Sequence, residues 1–188
     1  MPVRRSCLRF LRSLGFAAAV LGLLLGEGRA LTLFDLLTER DLTPKRFAAR
    51  FETFEYEFAP KVQLPDTFLQ REKGDCDDYA IPADYVLKQR GLQTRIIHIR
   101  LVGRVAHAVC YIDDNKAYLD FNNRKYFLNL ERCGRSLRKI ATEGVESFKG
   151  NWTSVSEFTY DYKEGRKRYT RTVRKTDPAA QDADAVRN

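Results

Sequence analysis

The sequence predicts an α+β fold in which N-terminal helices pack on an antiparallel sheet. In the first half of the chain, apolar residues recur at helical spacing behind residues that cap helices. From Thr94 to Phe121, apolar strands alternate with short polar turns, which is typical of an antiparallel meander. At 188 residues, of which 44% are apolar, the chain is long enough for one well-packed domain.

Residues 1–30 are predicted to be a signal peptide that is cleaved before Leu31. Four arginines precede an apolar run from Leu14 to Leu25, and small residues close the segment. The run is about twelve residues long, well short of the roughly twenty that a membrane-spanning helix needs. We therefore expect an exported protein, periplasmic or secreted, without stable membrane insertion after cleavage.

Removing residues 1–30 changes the charge of the chain. That segment holds five basic side chains and one acidic side chain, so the net charge falls from +8 to +4. So small a charge on residues 31–188 gives no reason to expect a nucleic-acid partner for the predicted domain of residues 31–176. The Asp/Ala-rich residues 177–188 are predicted to form a disordered tail.

The first two predicted helices precede the polar motif that carries the chemistry. The first covers Leu33–Leu37. The second begins at Pro44, behind Thr43 as its cap, and carries a stripe of core aromatic residues: Phe47, Phe51, Phe54 and Phe58.

The third predicted helix runs from Cys76 to Arg90, between Asp75 as the N-cap and Gly91 as the C-cap. Four apolar residues form its buried face: Tyr79, Ala83, Val86 and Leu87. Pro82 predicts a kink or a later helix start, and a later start would leave Cys76 on a loop.

The sheet is predicted from strands that turn residues separate. They cover Arg95–Val102, Val105–Ile112, Ala117–Phe121 and Lys125–Leu130. Residues 132–150 are polar and predict no defined element. Two further strands, Phe158–Tyr162 and Arg168–Val173, are expected to close the fold as a hairpin around Gly165.

Cys76, His107 and Asp120 are the candidate nucleophile, base and orienter of a thiol enzyme. A four-residue turn at residues 113–116 pairs Ile112 with Ala117, and this register places His107 and Asp120 on one face as diagonal neighbours. Cys76 is expected to reach the same face if its helix packs its first turn against these strands. A helix N-terminus and an imidazolium both stabilise a thiolate.

Each of these residues also has an ordinary interpretation: a buried thiol, a core histidine and a carboxylate that bonds local backbone. The three together, in this order and on one face, favour the triad. His98 is the second candidate for the base and is expected on the same face. Three cysteines remain after cleavage, so at least one is unpaired. Cys110 and Cys133 are either a disulfide or two buried inert thiols.

Four segments of the chain belong together: Gln63-Leu64-Pro65, Gly74-Asp75-Cys76-Asp77-Asp78-Tyr79-Ala80, His107-Ala108-Val109 and Leu119-Asp120-Phe121-Asn122. In this order they resemble the bacterial transglutaminase-like cysteine peptidases of the transglutaminase-like superfamily. The resemblance implies a transglutaminase-like fold, which is a circularly permuted papain-like α+β fold. The chain departs from the family pattern at Val62, at Pro82 and at Phe121.

The same resemblance implies the remaining parts of the site. Gln63, or else Gln70, is the candidate side-chain donor to the oxyanion. Some adhesin-processing relatives bind calcium through acids that flank the cysteine, so Asp75 and Asp77 are the candidate ligands for Ca²⁺. The thiol chemistry itself requires no cofactor.

The leading hypothesis is an exported cysteine peptidase that hydrolyses amide bonds of a protein or peptide substrate through an acyl-thioester. Transfer of the acyl group to an amine, as in a transglutaminase, is the first alternative. A non-catalytic binding module that uses the basic C-terminal hairpin is the second. A regulatory partner is compatible with each of these functions.

Overall fold

The structure is a computed structural model that describes residues 30–122 and 131–178. Five α-helices and eight strands follow one another along this part of the chain. In chain order they are α1 (Leu33–Thr38), α2 (Pro44–Ala49), β1 (Glu55–Tyr56), α3 (Pro65–Arg71), β2 (Lys73–Gly74), α4 (Cys76–Gln89), β3 (Thr94–Leu101), β4 (His107–Ile112), β5 (Ala117–Leu119), β6 (Glu131–Arg132), α5 (Leu137–Gly144), a 3₁₀ turn (Glu146–Phe148), β7 (Trp152–Asp161) and β8 (Arg166–Arg174).

A six-stranded antiparallel sheet of order β6-β5-β4-β3-β7-β8 forms the centre of the fold. The predicted meander of β3, β4 and β5 is confirmed, as is the closing hairpin of β7 and β8. β7 returns across the sheet to pair with β3, so β8 lies at the edge. Ile112 pairs with Ala117, which is the register that the four-residue turn predicts. The mixed α and β content with an antiparallel sheet agrees with the predicted α+β class.

The sheet carries a hydrophobic core on each face because its strands alternate. One core contains Ile96, Cys110 and Ile112 together with the buried side chains of α1 to α4. The other contains Ile97, Val109 and the buried side chains of α5. The helices are therefore divided between the two faces, with α4 on the face of Cys110.

α4 follows the predicted boundaries closely. Asp75 accepts hydrogen bonds from the backbone N–H groups of Asp77 and Asp78, and the Asp78 side chain accepts one from the backbone of Asp75. This capping box satisfies N–H groups that a helix start leaves unpaired. Pro82 lies inside the helix without delaying its start, so Cys76 is a helical residue and the alternative of a loop is wrong. Gly91 follows the helix with φ +80°.

α2 is shorter than predicted. Thr43 caps it and Pro44 opens it, as expected, but the helix ends at Ala49. Phe51 and Phe54 remain buried in tight turns beyond the helix, whereas Phe58 is 57% exposed. The prediction that the helical spacing continues to Phe58 is wrong, because the chain becomes extended before this residue and β1 pairs with β2 in parallel.

The remaining predictions have different outcomes. Cys110 and Cys133 are two buried thiols rather than a disulfide, and they belong to the two different cores. The sequence predicts no element in residues 132–150, but α5 lies there and follows its N-cap residue, Ser136. The predicted strand Lys125–Leu130 lies outside the described residues. The same holds for the predicted signal peptide except Ala30. None of the helices in the described ranges has the length and apolar character that crossing a membrane requires.

Asp177 and Pro178 are the described residues of the predicted disordered tail. The Asp177 carboxylate accepts a hydrogen bond of 2.7 Å from the backbone N–H of Arg174. Residues 179–188 lie outside the described part of the chain.

Gly74 leads into the cap of α4 with no room for a side chain. A Cβ at this position would lie 2.6 Å from Cδ2 of Phe68 and 2.7 Å from Oδ2 of Asp78. We expect Gly74→Ala to lower the free energy of unfolding by about 2–3 kcal/mol in urea titrations, because both neighbours are buried and must move. Gly134→Ala is the control, since its Cβ would approach only the flexible Lys139 side chain, at 3.3 Å. Equal stability of the two variants would contradict the prediction.

Candidate active site

Cys76 is the first residue of α4, and its side chain is buried at the helix start. The capping box of Asp75 and Asp78 fixes this position, because it determines where the helix begins. A side chain in the first turn lies beside the positive end of the helix dipole.

His107 and Asp120 meet as the predicted register requires. His107 is the first residue of β4, and Asp120 directly follows β5. Nε2 of His107 lies 3.1 Å from Oδ2 of Asp120, and the two side chains are only 3% and 1% exposed. They meet as an ion pair rather than as a well-aligned hydrogen bond. Oδ1 of Asp120 accepts a hydrogen bond of 2.8 Å from the backbone N–H of Asn122, which orients the carboxylate.

The imidazole of His107 also contacts the thiol of Cys76, so the structure brings together the three residues that the sequence singles out. Burial of the ring opposes protonation and is the largest influence. The charge and contact of Asp120 together with those of Cys76 outweigh it, and the pKa of His107 is raised well above 6.5. The ring of Phe148 packs edge-on against the imidazole, with 5.4 Å between centroids. The arrangement therefore favours an imidazolium beside the sulfur.

The side of the sheet that α4 covers differs from the expectation. The buried residues of α4 lie in the core that contains Ala108 and Cys110, whereas His107 alternates with Ala108 and belongs to the opposite face. The contact with Cys76 is made at the first residue of β4, where the strand begins. Helical packing against the face of His107 is thus a wrong expectation, although the two side chains still meet.

His98 is not on the face of His107. It pairs with Ala108, while His107 pairs with Ile99, so the prediction that the two histidines share a face is wrong. The His98 ring packs against Phe158 and Tyr169, at centroid distances of 6.1 and 5.6 Å. Burial, followed by the charge of Lys167, lowers the pKa of His98 to about 4. An imidazole with so low a pKa is a weak proton acceptor, and its ring packs against two aromatic rings, so His98 does not suit the role of the base.

The two glutamines lie in different settings. Gln63 donates its amide hydrogens to Oδ2 of Asp78, at 2.8 Å, and to the carbonyl oxygen of Lys73, at 3.0 Å. Its amide oxygen accepts a hydrogen bond from Arg71. Gln70 is exposed near the end of α3. The Gln63 amide therefore holds the cap of α4 together, and its donors are already engaged.

The acids beside Cys76 form a cluster that protein groups already occupy. Burial, then the charges of Asp78 and Asp77, raises the pKa of Asp75 to about 6. Every carboxylate oxygen of Asp75, Asp77 and Asp78 accepts a hydrogen bond from a protein donor, except Oδ1 of Asp77. Ca²⁺ takes six to eight oxygen ligands. In this arrangement the cluster does not fit Ca²⁺, and the described residues contain no group of three or more ligating side chains suited to a metal.

Two residues near Cys76 escaped the sequence analysis. Tyr56, on β1, is 48% exposed. Burial raises its pKa, and the next influence is the charge of Cys76. Lys167, on β8, donates a hydrogen bond of 2.6 Å to Oδ2 of Asp77. Neither position carries a local sequence signal, because tertiary contacts bring each of them to the helix start.

Comparisons with known proteins give limited information. No family model and no curated relative matches the chain. Among solved structures, Legionella pneumophila LapG in its calcium-bound form is similar in 82% of this chain and 86% of its own, with 17% sequence identity and a TM-score of 0.44. Similarity at this level identifies neither a family nor a substrate.

The two histidines of the chain should differ sharply in NMR titrations of their ring nitrogens. We expect His98 to be neutral at pH 6, because its pKa is about 4, and His107 to be protonated there and at neutral pH. Asp120→Asn should move the titration of His107 to lower pH, since the mutation removes the charge that stabilises the imidazolium. His98 is the internal control. An ordinary titration of His107 near pH 6.5 would contradict this prediction.

Proposed function

We propose that the chain is an exported thiol hydrolase that cleaves amide bonds of a protein or peptide, with Cys76 as nucleophile, His107 as general base and acid, and Asp120 as orienter. One observation carries the proposal: the buried imidazole of His107 contacts both the Cys76 thiol and the Asp120 carboxylate. A satisfied core histidine needs only one of these partners. A thiol enzyme needs both.

The proposed reaction follows from the positions of the groups around His107. Nε2 faces Asp120, so Nδ1 is the nitrogen that exchanges a proton with Sγ of Cys76. The thiolate attacks the amide carbon, and the imidazolium gives its proton to the leaving amine as the C–N bond breaks. Water then attacks the acyl-thioester while His107 accepts its proton, and breaking of the C–S bond releases the acid and restores the thiolate and imidazolium pair.

The oxyanion is assigned to the backbone N–H of Cys76. Both amide hydrogens of Gln63 are donated to other groups, and Gln70 is exposed. The N–H groups of Asp77 and Asp78 are held by Asp75. This N–H can donate a hydrogen bond to the oxyanion, and it also lies at the positive end of the dipole of α4. Both effects stabilise the negative charge that develops on the oxygen.

The proposal includes the transglutaminase-like class and its circularly permuted papain-like fold. The order of cysteine, histidine and aspartate supports it, as do the helix start at Cys76 and the strand pairing of β4 with β5. Export through a signal peptide of residues 1–30 belongs to the same proposal. Transfer of the acyl group to an amine passes through the same thioester. Measuring amine incorporation beside cleavage distinguishes this reaction from hydrolysis.

The binding-module alternative gains no support from the hairpin. Arg166 pairs with Glu164, and Arg168 contacts Asp161 and Glu164. Part of the basic charge is thus neutralised within the hairpin itself. These ion pairs are exposed and favour a solvated edge strand over a dedicated anion-binding surface.

The first test is alkylation of the thiols with iodoacetamide, measured by peptide mapping across neutral pH. We expect Cys76 to react selectively and His107→Ala to lower its rate about tenfold or more, because the imidazolium no longer stabilises the thiolate. Burial, then the charge of Asp84, raises the pKa of Cys110 well above its ordinary value, so that thiol is the internal control. His98→Gln is the matched histidine control. Equal rates in wild type and His107→Ala would refute the proposed site.

The second test is cleavage of fluorescently labelled casein by the purified chain. We expect Cys76→Ala to abolish cleavage with the fold retained by circular dichroism, and Asp120→Ala to retain a fraction, lower by roughly 10²–10³-fold, because the orienter does not touch the substrate. Incorporation of monodansylcadaverine, measured in parallel, detects transfer to an amine. Cleavage by the Cys76→Ala protein would contradict the mechanism.

A further inference from the structure

Lys167 connects the C-terminal hairpin to the residue that follows Cys76. Its Nζ donates to Oδ2 of Asp77 at 2.6 Å, and each side chain is only 20% exposed. Nζ also lies 5.1 Å from the centroid of the buried Phe158 ring, in the position of a cation–π contact. Two independent contacts therefore hold this ammonium in place, unlike the exposed basic residues elsewhere on the hairpin.

The ion pair involves the residue that directly follows Cys76 in the acidic motif. Asp75, Asp77 and Asp78 surround Cys76 in sequence, and like charges disfavour the ionised thiol. Asp78 is held by donors from Gln63 and from the backbone of Asp75, but these donors are neutral. For Asp77 the structure supplies a full positive charge in Lys167.

The other charged or titratable groups near this pair do not replace Lys167. His98, on β3, is neutral at physiological pH because its pKa is about 4. Tyr56 and Tyr160 face the same acids, and burial raises the pKa of both phenols, so they carry no charge there either. Among the described residues in contact with the Asp77 carboxylate, the cation is thus Lys167.

We infer that Lys167 is a positioning residue that supplies a built-in cation beside Cys76, so that the thiol is reactive without a divalent metal ion. The inference rests on the proposed function and deepens it. The Asp77 carboxylate, which a metal ion would need, is already paired with an ammonium from β8. This fixed ammonium offsets the acidic cap and also ties the hairpin to the start of α4.

The test is the rate of Cys76 alkylation by iodoacetamide at neutral pH in the full mature chain, measured with millimolar calcium or with excess chelator. We expect the wild-type rate to be the same in both. Lys167→Gln should lower it about three- to tenfold, because Asp77 is left unneutralised, and Lys167→Arg should retain most of it. Lys163→Gln removes the same charge from the exposed hairpin turn and should change the rate less than about twofold.

A second mutation separates charge from simple support of the fold. The double variant Asp77→Asn/Lys167→Gln should react at close to the wild-type rate, since its local net charge equals that of the wild type. Thermal unfolding confirms that each variant is folded.

Three outcomes would overturn the inference: dependence of the wild-type rate on calcium, equal rates for Lys167→Gln and Lys163→Gln, or a double variant that reacts as slowly as Lys167→Gln alone. Indifference of the rate to His107→Ala would instead refute the proposed function. The comparison of the single and double variants of Lys167 and Asp77 uses only the alkylation rate. It therefore tests the ion pair independently of peptidase activity.

Discussion

The capping box at the start of α4 is the interaction on which the site depends. Asp75 and Asp78 bond each other's backbone, both are buried, and the backbone and side-chain amides of Gln63 hold Asp78 from outside the helix. A buried carboxylate is costly unless donors satisfy it, so this network tolerates little rearrangement. Because Cys76 follows the cap directly, the position of its sulfur is determined by a network that performs no chemistry.

A second constraint places the other half of the site. The turn between β4 and β5 sets the register, and a slip of one residue would move Asp120 to the face opposite His107. Tyr111 and Tyr118, which pair directly within this hairpin, are both buried in the core that α5 covers. Burial of two large side chains opposes any slip. The proximity of His107 and Asp120 is therefore secured by the packing of residues several positions away.

The features that could be predicted from the sequence are those that short-range rules determine. Thr43, Asp75 and Gly91 mark helix ends through local hydrogen bonding and backbone freedom, and the turn length between β4 and β5 determines side-chain alternation. The face that α4 covers depends on tertiary packing, for which a helical pattern has no signal. The parallel pairing of β1 with β2 ends the stripe at Phe58 for the same reason. Lys167 reaches Asp77 only because β7 returns beside β3.

The acids around Cys76 present two opposing requirements. A helix start is stabilised by negative charge, whereas a thiolate at that start is destabilised by it. Asp75 and Asp78 serve the helix, and their oxygens are turned to N–H donors. Asp77 is the remaining acid of the cluster, and it lies against Lys167. His107, which contacts the sulfur, and Lys167, which pairs with Asp77, both come from strands of the sheet. Under the proposed function, the stability of the helix and the reactivity of the thiol depend on different residues, which is how an acidic motif can surround a cysteine that ionises.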